Sequence, residues 1–494
     1  MITLGYDIGS SSVKATLFDS DAGSTIAFAS YPDTEMPINA SAPGFAEQDP
    51  ALWWDCIKHA TQRLRAAAPQ QLSRTGAVGI AYQMHGLVLI DGQGKVLRPS
   101  IIWCDSRAAS IGREAFETLG HERCLTHLLN SPGNFTASKL RWVIQHEPRI
   151  AERARAMLLP GDYIAFRLTG DAVTTVPGLS EGMLWDFPEN RPAGFLLEHY
   201  AIRPDLIPRT VPTFGNQGNV TGKAAEELGI PEGIPVTYRS GDQPNNALSL
   251  NVLRPGDVAA TAGTSGVVYA VGDTLSSDPK SRINAFAHVN HAAGSPRIGI
   301  LLCINGTGIA NSWIRRMTGN AGAPYDKMNQ SAALSPVGAN GLAMLPFGNG
   351  AERMFEDRTL GANLLHIDFT RHSQSDIFRS VQEGIAFSFV EGMEIMRSLG
   401  IRPGVIRAGE ANMFLSPLFC EALASTSGVS IELYNTDGSQ GAARGAAFGA
   451  GSFATLDEVA RGLTRIRTVE PSPALVEPYH ESYARWHKDL SHSR

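Results

Sequence analysis

Two carboxylates and two glycine- and hydroxyl-rich turns are the residues of this 494-residue chain best placed to do chemistry. Asp7 ends an alternating apolar segment (Ile2, Leu4, Tyr6, Ile8) and is followed at once by Gly9, Ser10, Ser11 and Ser12, after which residues 13–18 read as a second strand. Amides and hydroxyls in such a turn cradle phosphate oxygens, and the adjacent carboxylate holds Mg2+ through its waters. A plain β-hairpin with a polar turn fits the same segment. Asp242 follows another short strand and is flanked by Gly241 and Pro244, so the backbone turns sharply and can aim the carboxylate into a cleft. There it would serve as a general base, taking the proton of a substrate hydroxyl as that oxygen attacks phosphorus. An aspartate bonding its own turn is the structural alternative.

Other segments supply contacts. Gly263, Thr264, Ser265 and Gly266 repeat the strand, small hydroxyl-rich turn, strand layout of the N-terminus and suit a second phosphate contact. Gly409 to Asn412 would let a flat adenine or ribose approach the backbone, or form an ordinary strand–helix turn. His85, in Gln83-Met84-His85-Gly86, offers a donor or acceptor for sugar hydroxyls, and Met84 an adaptable apolar contact. Trp103 and Asp105 suit a stacking face and a hydroxyl acceptor, or a core aromatic and a helix cap.

The elements that must hold these residues alternate between strand and helix. Asp49-Pro50 reads as an N-cap and first helical position for a helix over 51–68. Residues 77–82 read as a buried strand ending in the His85 loop, and 87–90 continue as a strand to a turn at 91–94. Residues 110–170 read as mainly helical and 171–235 as loop-rich. Strands follow at 236–240 and 405–408, with helices over 376–399, 415–426 and the small-residue stretch 441–453. The domain boundary is expected near 240–250.

Composition narrows the class. The chain is 43% hydrophobic and 18% charged, which is globular, and too long for one core. A net charge of −6 with no long basic run argues against nucleic acid or an anionic membrane as partner. No apolar run is long enough to span a bilayer, and no signal peptide is seen. Five scattered cysteines without CxxC spacing fit a reducing cytoplasm rather than a disulfide framework or a zinc site. No Walker A, protein-kinase or post-strand GxGxxG motif is present.

On Tyr6-Asp7-Ile8-Gly9-Ser10-Ser11-Ser12-Val13-Lys14, Gln83-Met84-His85-Gly86, Ile102-Trp103-Cys104-Asp105-Ser106-Arg107, Gly241-Asp242-Gln243, Gly263-Thr264-Ser265 and Gly409-Glu410-Ala411-Asn412, the whole chain resembles the FGGY family of carbohydrate kinases. The resemblance implies an α/β fold of two actin-like (ribonuclease H-like) domains with an interdomain catalytic cleft. Residues 1–243 would form the sugar-binding side and 244–494 the nucleotide-binding side. It implies an ATP-dependent kinase requiring Mg2+, with Asp242 as catalytic base and Asp7 as the metal's carboxylate acting through water. Met84, His85, Trp103, Asp105, Asp242 and Gln243 would bind the sugar, and Ser11, Ser12, Thr264, Gly308, Gly409 and Asn412 the nucleotide. Gly308 rests on the run Gly306-Thr307-Gly308 followed by Trp313.

The Met-His-Gly element leans toward D-xylulose, phosphorylated at O5, rather than glycerol. Ala408-Gly409-Glu410 replaces the family's usual three glycines, Cys104 its usual asparagine, and Gln243-Pro244-Asn245-Asn246 its usual small residues. These departures bear on which sugar is used: L-ribulose, gluconate, L-fuculose, erythritol and glycerol are alternatives. A homodimer in the cytoplasm is implied by analogy. An actin- or Hsp70-like ATPase would share the phosphate turns without needing a sugar base, and a catalytically dead sugar sensor would lack the need for both aspartates.

Overall fold

The strand that carries Asp7 is the middle of the first of two large sheets. In the computed structural model, which describes residues 1–493, β1 (Ile2–Ile8) pairs antiparallel with β2 (Val13–Asp19), and β2 pairs antiparallel with β3 (Ser24–Tyr31). On its other side β1 runs parallel to β4 (Thr75–Tyr82), and β4 parallel to β5 (Val236–Gly241), giving the order β5-β4-β1-β2-β3. Leu4, Tyr6 and Ile8 are completely buried on one face, as the alternation predicts.

The second sheet repeats this plan. It comprises β6 (Val258–Ala262), β7 (Gly266–Gly272), β8 (Asn284–Ala287), β9 (Ile298–Ile304), β10 (Val405–Gly409), β11 (Ser430–Tyr434) and β12 (Arg465–Val469), in the order β8-β9-β7-β6-β10-β11-β12. β6 is antiparallel to β7, β7 antiparallel to β9, and β6 parallel to β10, which is parallel to β11. The five-strand plan of the first sheet thus recurs as β11-β10-β6-β7-β9. The duplication, with helices packed on both sheets, is that of the actin-like fold.

Helices follow their signals. α1 (Pro50–Ala67) starts where Asp49 accepts a hydrogen bond from the Ala51 amide and Pro50 takes the first position. It buries Trp53, Ile57, Ala60 and Leu64 against β2 and β3. Residues 110–170 contain α2 (Thr136–His146) and α3 (Pro160–Thr169), but also a strand at Ala156–Leu158, too short to show alternation. The loop-rich stretch holds three short helices, among them α4 (Val176–Glu181). Asp242 opens α5 (Asp242–Ser249) rather than lying in a free turn; Pro244 is tolerated there because the first helical turn needs no internal N–H partner. The second lobe is built on α6 (Gly308–Met317), the long buried α7 (Gln374–Ser398) and α8 (Pro417–Ser427).

The expected division is crossed by one element. α9 (Gly438–Gly449), expected over 441–453, leaves the second sheet and packs on β1, β4 and β5 of the first. Thr3 Oγ1 donates to the Ala443 carbonyl (2.9 Å), Thr237 Oγ1 to that of Ala446 (2.8 Å), and the Thr16 and Ser439 hydroxyls meet at 2.7 Å. The approach needs glycine: a Cβ on Gly5 would stand 2.1 Å from the Ser439 carbonyl oxygen, and one on Gly79 2.1 Å from that of Ala442. α10 (Val476–Ser493) closes the second lobe over α8. Among the described residues no helix is long and apolar enough to cross a membrane.

Candidate active site

Parallel strands deliver their C-terminal ends to one edge, and the chemistry gathers there. Asp7 on β1 is level with Ala81 on β4, which is level with Ser240 on β5. Asp242 lies two residues past that level and two strands away, about 10 Å across the sheet at the usual strand spacing. The charge of Asp7 raises the cost of ionising Asp242. Asp242 is pushed up to about 7, first by burial and then by the negative charge of Asp7, against opposing hydrogen bonds from Gln243. Asp7 is also raised, by burial first, although its cross-strand partner Lys14 (Nζ 4.0 Å from Oδ2) pulls it down and Asp437 pushes it up.

Space at Asp7 is kept by Gly438, where a Cβ would lie 2.4 Å from Asp7 Oδ2. Asp437 precedes it and caps α9, accepting from the amides of Ser439 (2.8 Å) and Gln440 (3.1 Å). Asp437 follows β11 as Asp242 follows β5, so the duplication supplies an aspartate from each lobe.

The two turns are open to solvent. Ser11 is exposed and Ser12 half-buried, and the Ser12 carbonyl closes the turn by accepting from the Gly9 amide (3.1 Å). Thr264 is exposed between β6 and β7. The N-terminus of α6 packs under that second turn, with the Gly308 amide donating to the Gly263 carbonyl (2.9 Å). A Cβ on Gly308 would come within 2.3 Å of that oxygen. Asn412, at φ 54°, brings its side chain beside Gly263. Gly409 ends β10 with only ordinary contacts around a hypothetical Cβ, so packing does not account for its lack of a side chain. A carboxylate beside one open turn and a helix N-terminus beneath the other form a donor set that fits a metal–nucleotide phosphate.

His85 and Met84 follow β4. Met84 is buried and packs on Gly241. His85 is held at φ 61°, with its amide donating to Glu181 Oε1 (3.4 Å) and its Nδ1 3.0 Å from the Glu181 carbonyl oxygen. Its ring meets Phe135 edge-on at 4.8 Å and Phe286 at 5.3 Å. Burial, then the nearby Lys139 ammonium, lowers it to about 3, so the imidazole is neutral. Lys139 Nζ donates to the carbonyls of His85 and Ile102, both at 2.9 Å. Trp103 is half exposed and its Nε1 reaches Ser10 Oγ at 3.3 Å, bridging the sugar-side loop to the first phosphate turn.

Asp105 is a correction. It is completely buried, and both oxygens are taken by Arg107 (2.7–3.0 Å) and the Ala46 amide (2.6 Å). With a guanidinium only two residues away to neutralise it, the carboxylate folds inward; it fastens the Trp103 loop instead of facing a ligand.

Three residues went unread in the sequence. Glu181 ends α4, is 2% exposed and touches both the His85 loop and Gly241. Phe286 comes from β8 of the second lobe, and Arg353 reaches back from that lobe to Ser131 Oγ (3.2 Å). None carries a local motif; only Asp437, before Gly438-Ser439, was readable as an N-cap.

A duplicated actin-like fold with two strand-end carboxylates and two open glycine turns is the class of structure shared by ATP-dependent sugar kinases. Residues 2–249 match the N-terminal domain, and residues 258–453 the C-terminal domain, of the FGGY family of carbohydrate kinases. The chain belongs to that family, and its activity is that of a carbohydrate kinase. It is 29% identical over 446 residues to the xylulose kinase of Escherichia coli K12, covering 90% of this chain and 88% of that protein. The crystal structure of xylulose kinase from Rhodospirillum rubrum superposes with a TM-score of 0.89 at 27% identity, covering 100% of this chain and 99% of that one. Gluconate kinase from Lactobacillus acidophilus shares the fold (TM-score 0.90, 20% identity, 100% and 98% covered).

Proposed function

We propose that the protein transfers the γ-phosphoryl group of ATP to O5 of D-xylulose, giving D-xylulose 5-phosphate and ADP. The observation that carries this is Asp242: a strand-end carboxylate titrating near neutrality, on the same edge as Asp7 and directly after Gly241, which packs on Met84 of the His85 loop. The xylulose kinases among its relatives support the choice of sugar.

Asp242 accepts the proton of the attacking hydroxyl, and a value near 7 leaves it ionised, yet basic, at physiological pH. Neutral His85 accepts from or donates to sugar hydroxyls without adding charge, Met84 shapes the apolar side, and Trp103 covers one face of the open-chain sugar, whose O5 hydroxyl is free only in that form. Gln243 steadies the base by its hydrogen bonds. Amides and hydroxyls of Ser11, Ser12 and Thr264 would hold phosphate oxygens, with Gly308 keeping α6 close under the turn; Gly409 and Asn412 would leave room for the adenosine. Asp7 would hold Mg2+ through water, and the ion supplies charge neutralisation on the phosphates. Positioning and charge stabilisation then do most of the work. The halves 1–243 and 244–494, and a pair of protomers, are part of the same proposal.

The test is ADP release across ketoses, polyols and aldonates, with Asp242→Asn as control. D-Xylulose should give the highest kcat/KM. A preference for gluconate or glycerol overturns the choice of sugar, and sugar-independent turnover overturns the kinase assignment of the cleft.

A further inference from the structure

The cleft contains one carboxylate that the reaction above leaves without a task. Glu181 lies at the C-terminal end of α4, 2% exposed, and its oxygens contact two segments far apart in the chain. One oxygen accepts the His85 amide at 3.4 Å while its own main-chain carbonyl lies 3.0 Å from His85 Nδ1, so a single residue grips both the backbone and the ring. The other oxygen fills the space beside Gly241, where a Cβ would stand 2.5 Å from it, immediately before Asp242. Next to it in sequence, Ser180 Oγ accepts from the Ala287 amide (3.0 Å), tying α4 to β8 and so to Phe286 on the far side of the imidazole.

We propose that Glu181 is a positioning residue for phosphoryl transfer, which fixes the left-handed His85 and the Gly241–Asp242 corner relative to one another and so sets the distance between the sugar-orienting imidazole and the base. This rests on the kinase reading of the cleft. A non-glycine residue at φ 61° is costly unless its surroundings hold it, and the two bonds to Glu181 are such a hold.

The groups facing Glu181 come from several elements. From β4 comes the Tyr82 hydroxyl, from the following loop His85, from α5 Asp242, from α3 Asp162, from β5 Arg239, from α2 Lys139 and from β7 Tyr269. Arg239 is committed to Asp162 at 3.0 Å, with both side chains fully buried, and Lys139 to two carbonyls. Burial followed by the charge of Asp242 holds the Glu181 carboxyl well above the usual range. The raised value lessens the negative charge that Glu181 places beside the base, while its Oε1 accepts the His85 amide.

The deciding experiment compares Glu181→Gln and Glu181→Ala across pH 5.5–9, with sugar KM, ATP KM and kcat measured separately. Gln preserves the shape and the acceptor oxygen toward the His85 amide, so it should keep sugar kcat/KM within about threefold and leave the acid limb in place. Ala should lower sugar kcat/KM by about 10- to 100-fold, the usual cost of a misplacement of about 1 Å, with ATP KM unchanged. A Glu181→Gln enzyme as impaired as Glu181→Ala, or an acid limb displaced by Gln, overturns the inference. So does a Glu181→Ala enzyme that loses thermal stability but keeps its sugar kcat/KM. A wild-type protein that releases no ADP with any acceptor overturns the kinase reading itself, which separates the two failures.

Discussion

Replacing Asp242 with asparagine separates what this residue does for rate from what it costs in stability. The carboxyl goes from its ordinary 3.8 to about 7 in the folded chain, with burial the largest cause and Asp7 the next. A raised carboxyl value means that the folded state prefers the neutral acid. The associated stability is present below the unfolded value and is lost as pH rises toward the folded one. At pH 8 the wild type therefore carries an ionised group it would rather protonate, at a cost of at most about 4 kcal/mol at 1.36 kcal/mol per unit. Asp242→Asn removes that cost, so its melting temperature at pH 8 should rise, with a much smaller difference at pH 4. Over the same change kcat should fall by about 10²–10⁴-fold, the worth of a general base. Wild-type kcat/KM should fall about tenfold per pH unit below 7, because one unit under its pKa leaves only about a tenth of the base ionised. Coupled ADP-release kinetics and differential scanning calorimetry at pH 4 and 8 read both effects. A mutant with more than a tenth of the wild-type kcat, or a flat rate profile between pH 5.5 and 7.5, refutes the assignment.

Asp7→Ala should shift the Mg2+ concentration needed for half-maximal activity upward and raise ATP KM, with sugar KM little changed; an unaltered Mg2+ titration would dismiss the metal role. It should also move the acid limb of residual activity downward, since the charge that helps raise Asp242 is gone. His85→Ala should raise sugar KM by about tenfold or more, as expected when an orienting hydrogen-bonding group is lost, and a change confined to ATP KM would move His85 out of the sugar pocket. Gly79→Val places a side chain 2.1 Å from the Ala442 carbonyl oxygen and should destabilise by about 3 kcal/mol or more, read as a lower urea midpoint. A midpoint equal to wild type would mean that α9 is not seated on β4.

The local chemistry was legible because it sits at strand ends. Asp7, Asp242 and Thr264 each follow or join strands whose alternation is plain, so their placement on an edge follows from the period of two. The caps at Asp49-Pro50 and the helix 374–398 were readable for the same reason: short-range signals determine them. What escaped depends on contacts distant in sequence. Glu181 gains its meaning from His85 and Gly241, 96 and 60 positions away, and nothing local distinguishes it from a surface glutamate. Phe286 and Arg353 belong to the lobe expected to serve the nucleotide, yet they face the His85 loop. Asp105 was misread because a carboxylate near an exposed tryptophan looks available until Arg107 is seen to occupy both oxygens. Spacing showed a duplicated turn at 263–266, but only the strand pairing shows that all five strands of the plan recur.

The seating of α9 on the first sheet has a consequence for how the protein is made. Phe18, Ala77, Ala81 and Tyr238 share a buried cluster with Ala442, Ala443, Ala446 and Ala447. A ribosome that has reached Ser249 has written every strand of the first sheet, but the helix that covers this face ends only at Gly449 of 494 residues. Through nearly two hundred further codons the nascent first lobe keeps an uncovered face, and with it the need for a partner to shield it. Its fold is begun first and completed among the last, and a chain ending before Gly438 would leave that face without its helix.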